Sequence, residues 1–172
     1  ILELYPTHLG ALYFRAYVND KLKRFAFARQ DYEQVLKYEP DHEGALTGLV
    51  RVSISEKKLT KAYDESNHLI ELYKENPRNY LLRSEVEEAL GLYSLAIDDV
   101  TTAIDMEKEK SAPNQKISLD DDLTRYVLMR IDLYKKHMAK LKKKSDKELK
   151  TFIENDEKFL ISKGIPSRIF RK

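Results

Sequence analysis

Cysteine and tryptophan are both absent from the 172 residues, and glycine and proline occur five times each. Without cysteine there can be no disulfide, no thiol nucleophile and no thiolate metal site. That absence leaves the compartment open, since a cysteine-free chain suits oxidising and reducing spaces alike. The scarcity of glycine and proline leaves few helix breakers in a chain rich in Lys, Glu, Leu and Ala, which predicts a mostly helical protein. No run of about 18 apolar residues occurs, so no membrane-spanning helix is expected, and no signal-peptide pattern is read. Neither sign of charge dominates: 31 basic against 29 acidic residues give a net charge of +2. A dedicated nucleic-acid binder shows a strong basic excess, so nucleic acid is not an expected partner. Mean hydropathy is low at −0.59. The 42% hydrophobic residues are nonetheless ordered along the chain, enough for a core and against disorder.

That order is a repeat. Ala28, Ala62 and Ala96 stand 34 residues apart, as do Phe25, Leu59 and Tyr93. The same interval relates Leu12, Leu46 and Tyr80; Val35, Leu69 and Ala103; Leu36, Ile70 and Ile104; and Pro6 and Pro40. A period of this size marks stacked supersecondary units. Within each unit the apolar positions follow helical spacing twice, as in Leu9, Leu12, Tyr13 and Ala16 and then Phe25, Ala28, Tyr32, Val35 and Leu36. Each unit therefore reads as a helix–turn–helix. The alanine column lets two helices approach closely, and the proline ends one helix or opens the next. One such unit cannot bury its apolar stripe alone, whereas stacked neighbours can.

These columns resemble the tetratricopeptide repeat (TPR). Leu12, Ala16, Phe25, Ala28, Tyr32 and Pro40 match it in the first unit. Leu46, Leu49, Leu59, Ala62 and Leu69 match it in the second, and Tyr80, Gly91, Tyr93, Ala96 and Ala103 in the third. Val50 and Ser84 replace the usual small residue. The second unit ends late, at Pro77, as if its second helix had an extra turn, and the third lacks a closing proline. The resemblance implies an all-α solenoid of antiparallel helix pairs, with three TPR-like units over residues 1–108.

"ILELYP" reads as the end of an earlier repeat, so at least one further unit is expected upstream. A loop is expected over 109–118. Residues 119–172 read as a degenerate fourth unit of capping helices. Its first helix carries the stripe Leu123, Val127, Ile131, Tyr134, Met138 and Leu141, behind a capping-box variant at Ser118 and Asp121. Its second opens at a capping box of Ser145 and Glu148 and carries Leu149, Phe152, Ile153, Phe159 and Leu160. Gly164 and Pro166 stop it.

No constellation for catalysis, cofactor or metal is read. His8, His42, His68 and His137 fall near helix starts or on exposed faces, none at ligand spacing. Asp120, Asp121 and Asp122 suit a helix N-terminus, and no calcium-type glycine loop follows. Residues 135–150 hold eight lysines and two acids. Lysines at a helix C-terminus complement its dipole and keep that end soluble.

The chain is expected to be non-catalytic and to bind a peptide or protein segment. By resemblance, the groove positions of the first helices are Gly10, Tyr13, Tyr17 and Asp20; Gly44, Thr47, Arg51 and Ile54; and Arg78, Leu81, Glu85 and Glu88. Tyr and Arg are the residues most enriched at binding hot spots; the alternative for Tyr13 and Tyr17 is a packing role. The carboxylate clamp of chaperone-binding relatives would need a lysine, two asparagines and two basic residues where Tyr13, Tyr17, Gly48, Arg78 and Leu82 stand. Only Arg78 fits, so chaperone tails are not expected. A second reading is a structural spacer or self-association module, favoured by an exposed apolar strip around Leu2, Leu4 and Leu12. The Lys- and Tyr-rich composition points to a bacterium with AT-rich DNA, leaving cytoplasm and periplasm both open.

Overall fold

A computed structural model of the chain describes residues 8–110, 121–141 and 147–170. Eight α-helices lie among the described residues: α1 (Leu9–Lys21), α2 (Phe25–Tyr38), α3 (Glu43–Ser55), α4 (Leu59–Leu72), α5 (Pro77–Leu90), α6 (Tyr93–Lys110), α7 (Asp122–Lys140) and α8 (Lys147–Ser162). A short 3-10 turn, Ser167–Ile169, follows. The first helices of the three pairs open at Leu9, Glu43 and Pro77, and the second helices at Phe25, Leu59 and Tyr93. The interval is 34 residues throughout.

The expected extra turn before Pro77 is absent. α4 has 14 residues, as α2 does. Pro77 is instead the first residue of α5, where its missing N–H costs nothing because that group has no intrahelical acceptor. α6 runs on to Lys110 over 18 residues, so Glu109 and Lys110 are helical rather than loop. The rest of the expected loop lies outside the described residues, as do "ILELYP" and the Ser145 cap.

Each of the first three pairs turns in the same way. Lys23, Lys57 and Gly91 have φ of +57°, +61° and +74°. The following residues, Arg24, Lys58 and Leu92, donate back to the carbonyls of Asn19, Ser53 and Glu87 at 2.9 Å or less. This is the Schellman closure of a helix, which normally places glycine at the left-handed position. Two of the three pairs use lysine there. Replacing exposed Lys57 by glycine removes a Cβ penalty of about 1–2 kcal/mol, against about 0.5–1 kcal/mol of extra unfolded-state entropy. Lys57→Gly is therefore expected to raise the urea midpoint, by about 0.5 kcal/mol of stability; an unchanged or lower midpoint would contradict the left-handed geometry.

The chain divides into two compact units, up to Val86 and from Glu87 on, with the boundary inside α5. In the first unit the repeat columns are the core: Ala16, Ala28, Val35, Ala45, Val50, Ala62 and Leu69 are wholly inaccessible to solvent. Burying one leucine or valine of this kind contributes about 2 kcal/mol. Leu12 belongs to this core at 3% exposure, so it is not part of an exposed strip. Phe14 and Val18 of α1 and its C-cap Leu22 are exposed, spaced four apart on another face.

In the second unit α6 packs on α7, and Ala96, Val100, Ala103 and Ile104 of α6 and Val127, Ile131 and Leu133 of α7 are buried. Asp121 caps α7, accepting from the Leu123 N–H at 2.9 Å, in place of the expected Ser118, which is outside the described residues. Of the α7 stripe, Leu123, Val127, Ile131 and Tyr134 are buried and Leu141 is exposed. Of the α8 stripe only Leu160 is buried. The other buried residue of α8 is an acid, Asp156. Arg130 of α7 meets it with two bonds of 2.5 and 2.8 Å and reaches Thr101 of α6 at 3.1 Å. Gly164, at φ +93°, closes α8 ahead of Pro166, with the Ile165 N–H donating to the Leu160 carbonyl.

Candidate functional site

The expected groove residues of the first unit lie on α1, α3 and the start of α5. On α1, Tyr13, Tyr17 and Asp20 follow helical spacing and share one face. Tyr17 is 45% exposed, whereas Tyr13 and Asp20 are partly buried. Tyr13 packs: its ring lies 5.0 Å from His42 and 6.0 Å from Tyr32, and it covers Gly44 so closely that an added Cβ would meet it at 2.8 Å. On α3, Arg51 is exposed, Thr47 is partly buried, and Ile54 packs against the Leu46 and Val50 cluster. On α5, Arg78 and Glu85 are exposed and Leu81 is partly buried. Glu88 lies in the second unit, where Lys136 holds it at 2.5 Å while also meeting Asp132 at 2.6 Å. That double pairing raises the Lys136 ammonium pKa above the lysine norm, through the hydrogen bonds to Asp132 first and Glu88 second.

One buried residue packs against the expected groove position Tyr13 and, through its neighbour Gly48, against helix α3. Tyr32 of α2 is 2% exposed and reads in the sequence only as core. Its ring end passes Gly48 of α3, where a Cβ would stand 2.3 Å from Cζ. The Tyr32 phenol pKa is pushed far above its ordinary value, by burial first and then by Asp20, Tyr13 and Tyr17, with Arg51 opposing the shift. The only signal in the sequence is a glycine where helix α3 faces a tyrosine from the preceding unit.

The remaining polar groups of the first unit are mostly structural. Arg29 of α2 bonds Ser53 and Glu56 of α3 at 2.8 and 2.9 Å and Glu65 of α4 at 3.2 Å, while Ser53 donates to Glu65 at 2.5 Å. Hydrogen bonds from Lys58 and then Arg29 hold the Glu56 carboxyl below its usual pKa. Arg15 clasps Asp31 with two bonds of 2.7 Å. His8 and His42 are helix caps: each accepts, through Nδ1, the N–H of the third residue on, at 3.1 Å. Asn76 takes the same place in the third unit, accepting from the Arg78 N–H at 3.1 Å. His68 sits 3.8 Å from Glu71 on an exposed face.

In the second unit His137 stacks on Tyr93, and both line an open depression of about 420 Å³ with Leu92, Leu95, Lys140 and Leu141. The lysine-rich run does more than keep a helix end soluble. Lys135 donates to the Phe170 carbonyl at 3.0 Å and Lys140 to that of Gly91 at 2.6 Å. Asp122 pairs with Arg125, Asp121 is the α7 cap, and Asp120 is outside the described residues. No group of acids and histidines with metal-binding geometry occurs among the described residues, and no described helix is long and apolar enough to cross a membrane.

No protein-family model matches the sequence, and no curated protein matches it. Solved structures do. A MamA double mutant designated "RS-1 ArsTM" matches with TM-score 0.60 and 20% identity over 64% of this chain. This chain spans 62% of that protein's length. TTC0263, a thermophilic TPR protein of Thermus thermophilus, matches with TM-score 0.57 and 18% identity, over 90% of this chain and 84% of that one. A crystal structure of MamA matches with TM-score 0.55 and 16% identity, over 90% and 89%. With helix pairs repeating every 34 residues and these structural neighbours, the chain has an all-α, TPR-like solenoid fold.

Proposed function

We propose that the chain is a non-catalytic scaffold that binds a peptide or protein segment along the face made by α1, α3 and the start of α5. The observation that carries this reading is a set of side chains left unsatisfied on that face. Arg51 and Asp20 have no ion-pair or hydrogen-bond partner for their side chains among the described residues, although most charges deeper in the first unit are paired. Tyr17 is 45% exposed beside them. An aromatic ring and an unpaired arginine are the groups that anchor protein interfaces, and unpaired charges of both signs set register. The TPR-like fold supports this reading.

The test is an affinity capture from lysate with the native chain and with a Tyr17→Ala/Arg51→Ala bait, which spares packed Tyr13. A partner retained about tenfold less by the double variant supports the face. Equal retention places binding elsewhere. A second reading, self-association, is favoured by Phe14 and Val18 on α1 and Leu22 at its C-cap, with Phe14 66% exposed. Light scattering separates the two readings, since a discrete dimer supports the second.

A further inference from the structure

We propose that the depression between the start of α6 and the end of α7 is a second docking site, separate from the α1–α3 face. It takes a partner protein segment in which a large aliphatic side chain stands beside a carboxylate. Leu92, Leu95 and Leu141 receive the aliphatic group, and Lys140 receives the acid.

The leucines carry the argument, because the fold does not need them. The turn at Gly91 is the turn that Lys57 makes one repeat earlier, with a left-handed residue and the same backbone closure. There the places of Leu92 and Leu95 are held by Lys58 and Lys61, both exposed. The first pair has exposed Arg24 and Phe27 at these places. No pair buries either position, so neither leucine belongs to the core. Both are exposed, as is Leu141, which lines the same depression. Residues 142–146, KKKSD, bring no apolar side chain to lay over the three. Apolar surface gathered in a concavity marks an interaction site. A concave surface suits a side chain that enters it, whereas a lipid surface takes groups that protrude.

The charge of the partner follows from what lines the depression. Lys140 lines it and no carboxylate does. The ammonium is held in place without being neutralised. It donates to the Gly91 carbonyl at 2.6 Å and lies 5.3 Å over the Tyr93 ring, and it has no acid partner among the described residues. Gly91 permits this approach, since a Cβ there would stand 2.9 Å from Nζ. Lys136 of the same helix differs, being paired with both Glu88 and Asp132. An ammonium has three N–H donors, so Lys140 keeps donors for a carboxylate after meeting Gly91. His137, stacked on Tyr93 at 6.0 Å, adds a ring of which neither nitrogen has a hydrogen-bond partner among the described residues. An acid entering here meets a fixed cation and no competing anion.

The experiment is an array of random short peptides probed with the native chain, Leu92→Lys/Leu95→Lys, Lys140→Met and Tyr17→Ala/Arg51→Ala. Leu92→Lys/Leu95→Lys gives this turn the lysines of the second pair, so it should melt with the native protein. A much lower melting temperature would make the leucines structural and overturn the proposal. Binders at this site are expected to share Leu, Ile or Met next to Asp or Glu. Replacing the aliphatic residue by Ala should weaken them about tenfold. Replacing the acid by its amide should weaken them about two- to fivefold, a loss that disappears in about 1 M salt. These binders are expected to be lost in Leu92→Lys/Leu95→Lys, to lose their acid preference in Lys140→Met, and to persist in Tyr17→Ala/Arg51→Ala. Binders lost only in Tyr17→Ala/Arg51→Ala would overturn the second site and leave the α1–α3 face standing. Binding indifferent to the acid or to Lys140, or no binding at all, would also overturn it. Phosphatidylserine vesicles or free decanoate held more tightly than any peptide would overturn the assignment to a protein segment.

Discussion

Gly48→Ala is expected to lower the stability of the first unit by about 3 kcal/mol. The new Cβ would lie 2.3 Å from Tyr32 Cζ, 2.4 Å from Cε2 and 2.7 Å from Cε1, distances that no packed pair of carbons sustains. Tyr32 cannot yield in place, because it is 2% exposed and enclosed by the core around Leu12, Ala28 and Leu49. The ring must leave its seat. Unseating a large aromatic costs about 3–5 kcal/mol, and alanine's better helix propensity returns about 1 kcal/mol. Urea unfolding followed by circular dichroism measures the loss. Combining Gly48→Ala with Tyr32→Leu tests its cause: the double variant should be less destabilised than the two single effects summed. A Gly48→Ala protein as stable as the native one would show that the ring does not cross Gly48. Gly44→Ala is a milder comparison, since the Tyr13 ring above it is only partly buried and can tilt.

Asp156→Ala is expected to cost the second unit about 3 kcal/mol. Arg130 and Asp156 are 12% and 10% exposed and joined by two bonds. Removing the acid leaves a guanidinium in the interior with Thr101 as its one hydrogen-bond acceptor among the described residues. Breaking a buried pair from one side costs about 3–5 kcal/mol, and the residual solvent contact of both groups argues for the lower end. The loss should appear as a lower thermal midpoint and as faster amide exchange in α8, which this pair holds to α7. The double replacement Arg130→Met/Asp156→Leu should restore most of the stability, since no orphan charge remains. If Asp156→Ala melts with the native protein, the pair is not buried as described. Arg15 and Asp31 form a like pair in the first unit, but Arg15 is 53% exposed, so its loss should be much milder.

The fold was legible because repetition is a property of residue order. Ala28, Ala62 and Ala96 state the interval directly, and each column that shares it reports the same contact seen again. Turn chemistry was less legible, because the chain departs from the usual residues. A histidine is not the expected helix cap, and a lysine is not the expected left-handed closure, yet His8, His42, Lys23 and Lys57 serve so. Pro77 misled for a related reason: proline both ends and opens helices, and spacing alone does not say which. The site was legible to the extent that a helix face follows from period. Tyr13, Tyr17 and Asp20 could be placed together, but not the depth of each side chain. The packing of Tyr32 against α3 could not be added, because it depends on the missing side chain at Gly48, on a different helix. The Arg130–Asp156 pair was invisible for the same reason, its partners being 26 residues apart on separate helices.

Arg29 gives the first unit a property that a stack of identical modules lacks. In such a stack each module meets its neighbour through apolar area, and the end module can peel away at modest cost. Here the first pair lends a cation to the second. If α1 and α2 detached, Glu56 would keep Lys58, and Glu65 a 3.7 Å contact with Lys61 and the hydrogen bond from Ser53, as their described partners. Ser53, wholly buried, would lose a donor at the same moment. Fraying from that end therefore meets an electrostatic toll as well as an exposed surface, and the first two helix pairs open as one cooperative block.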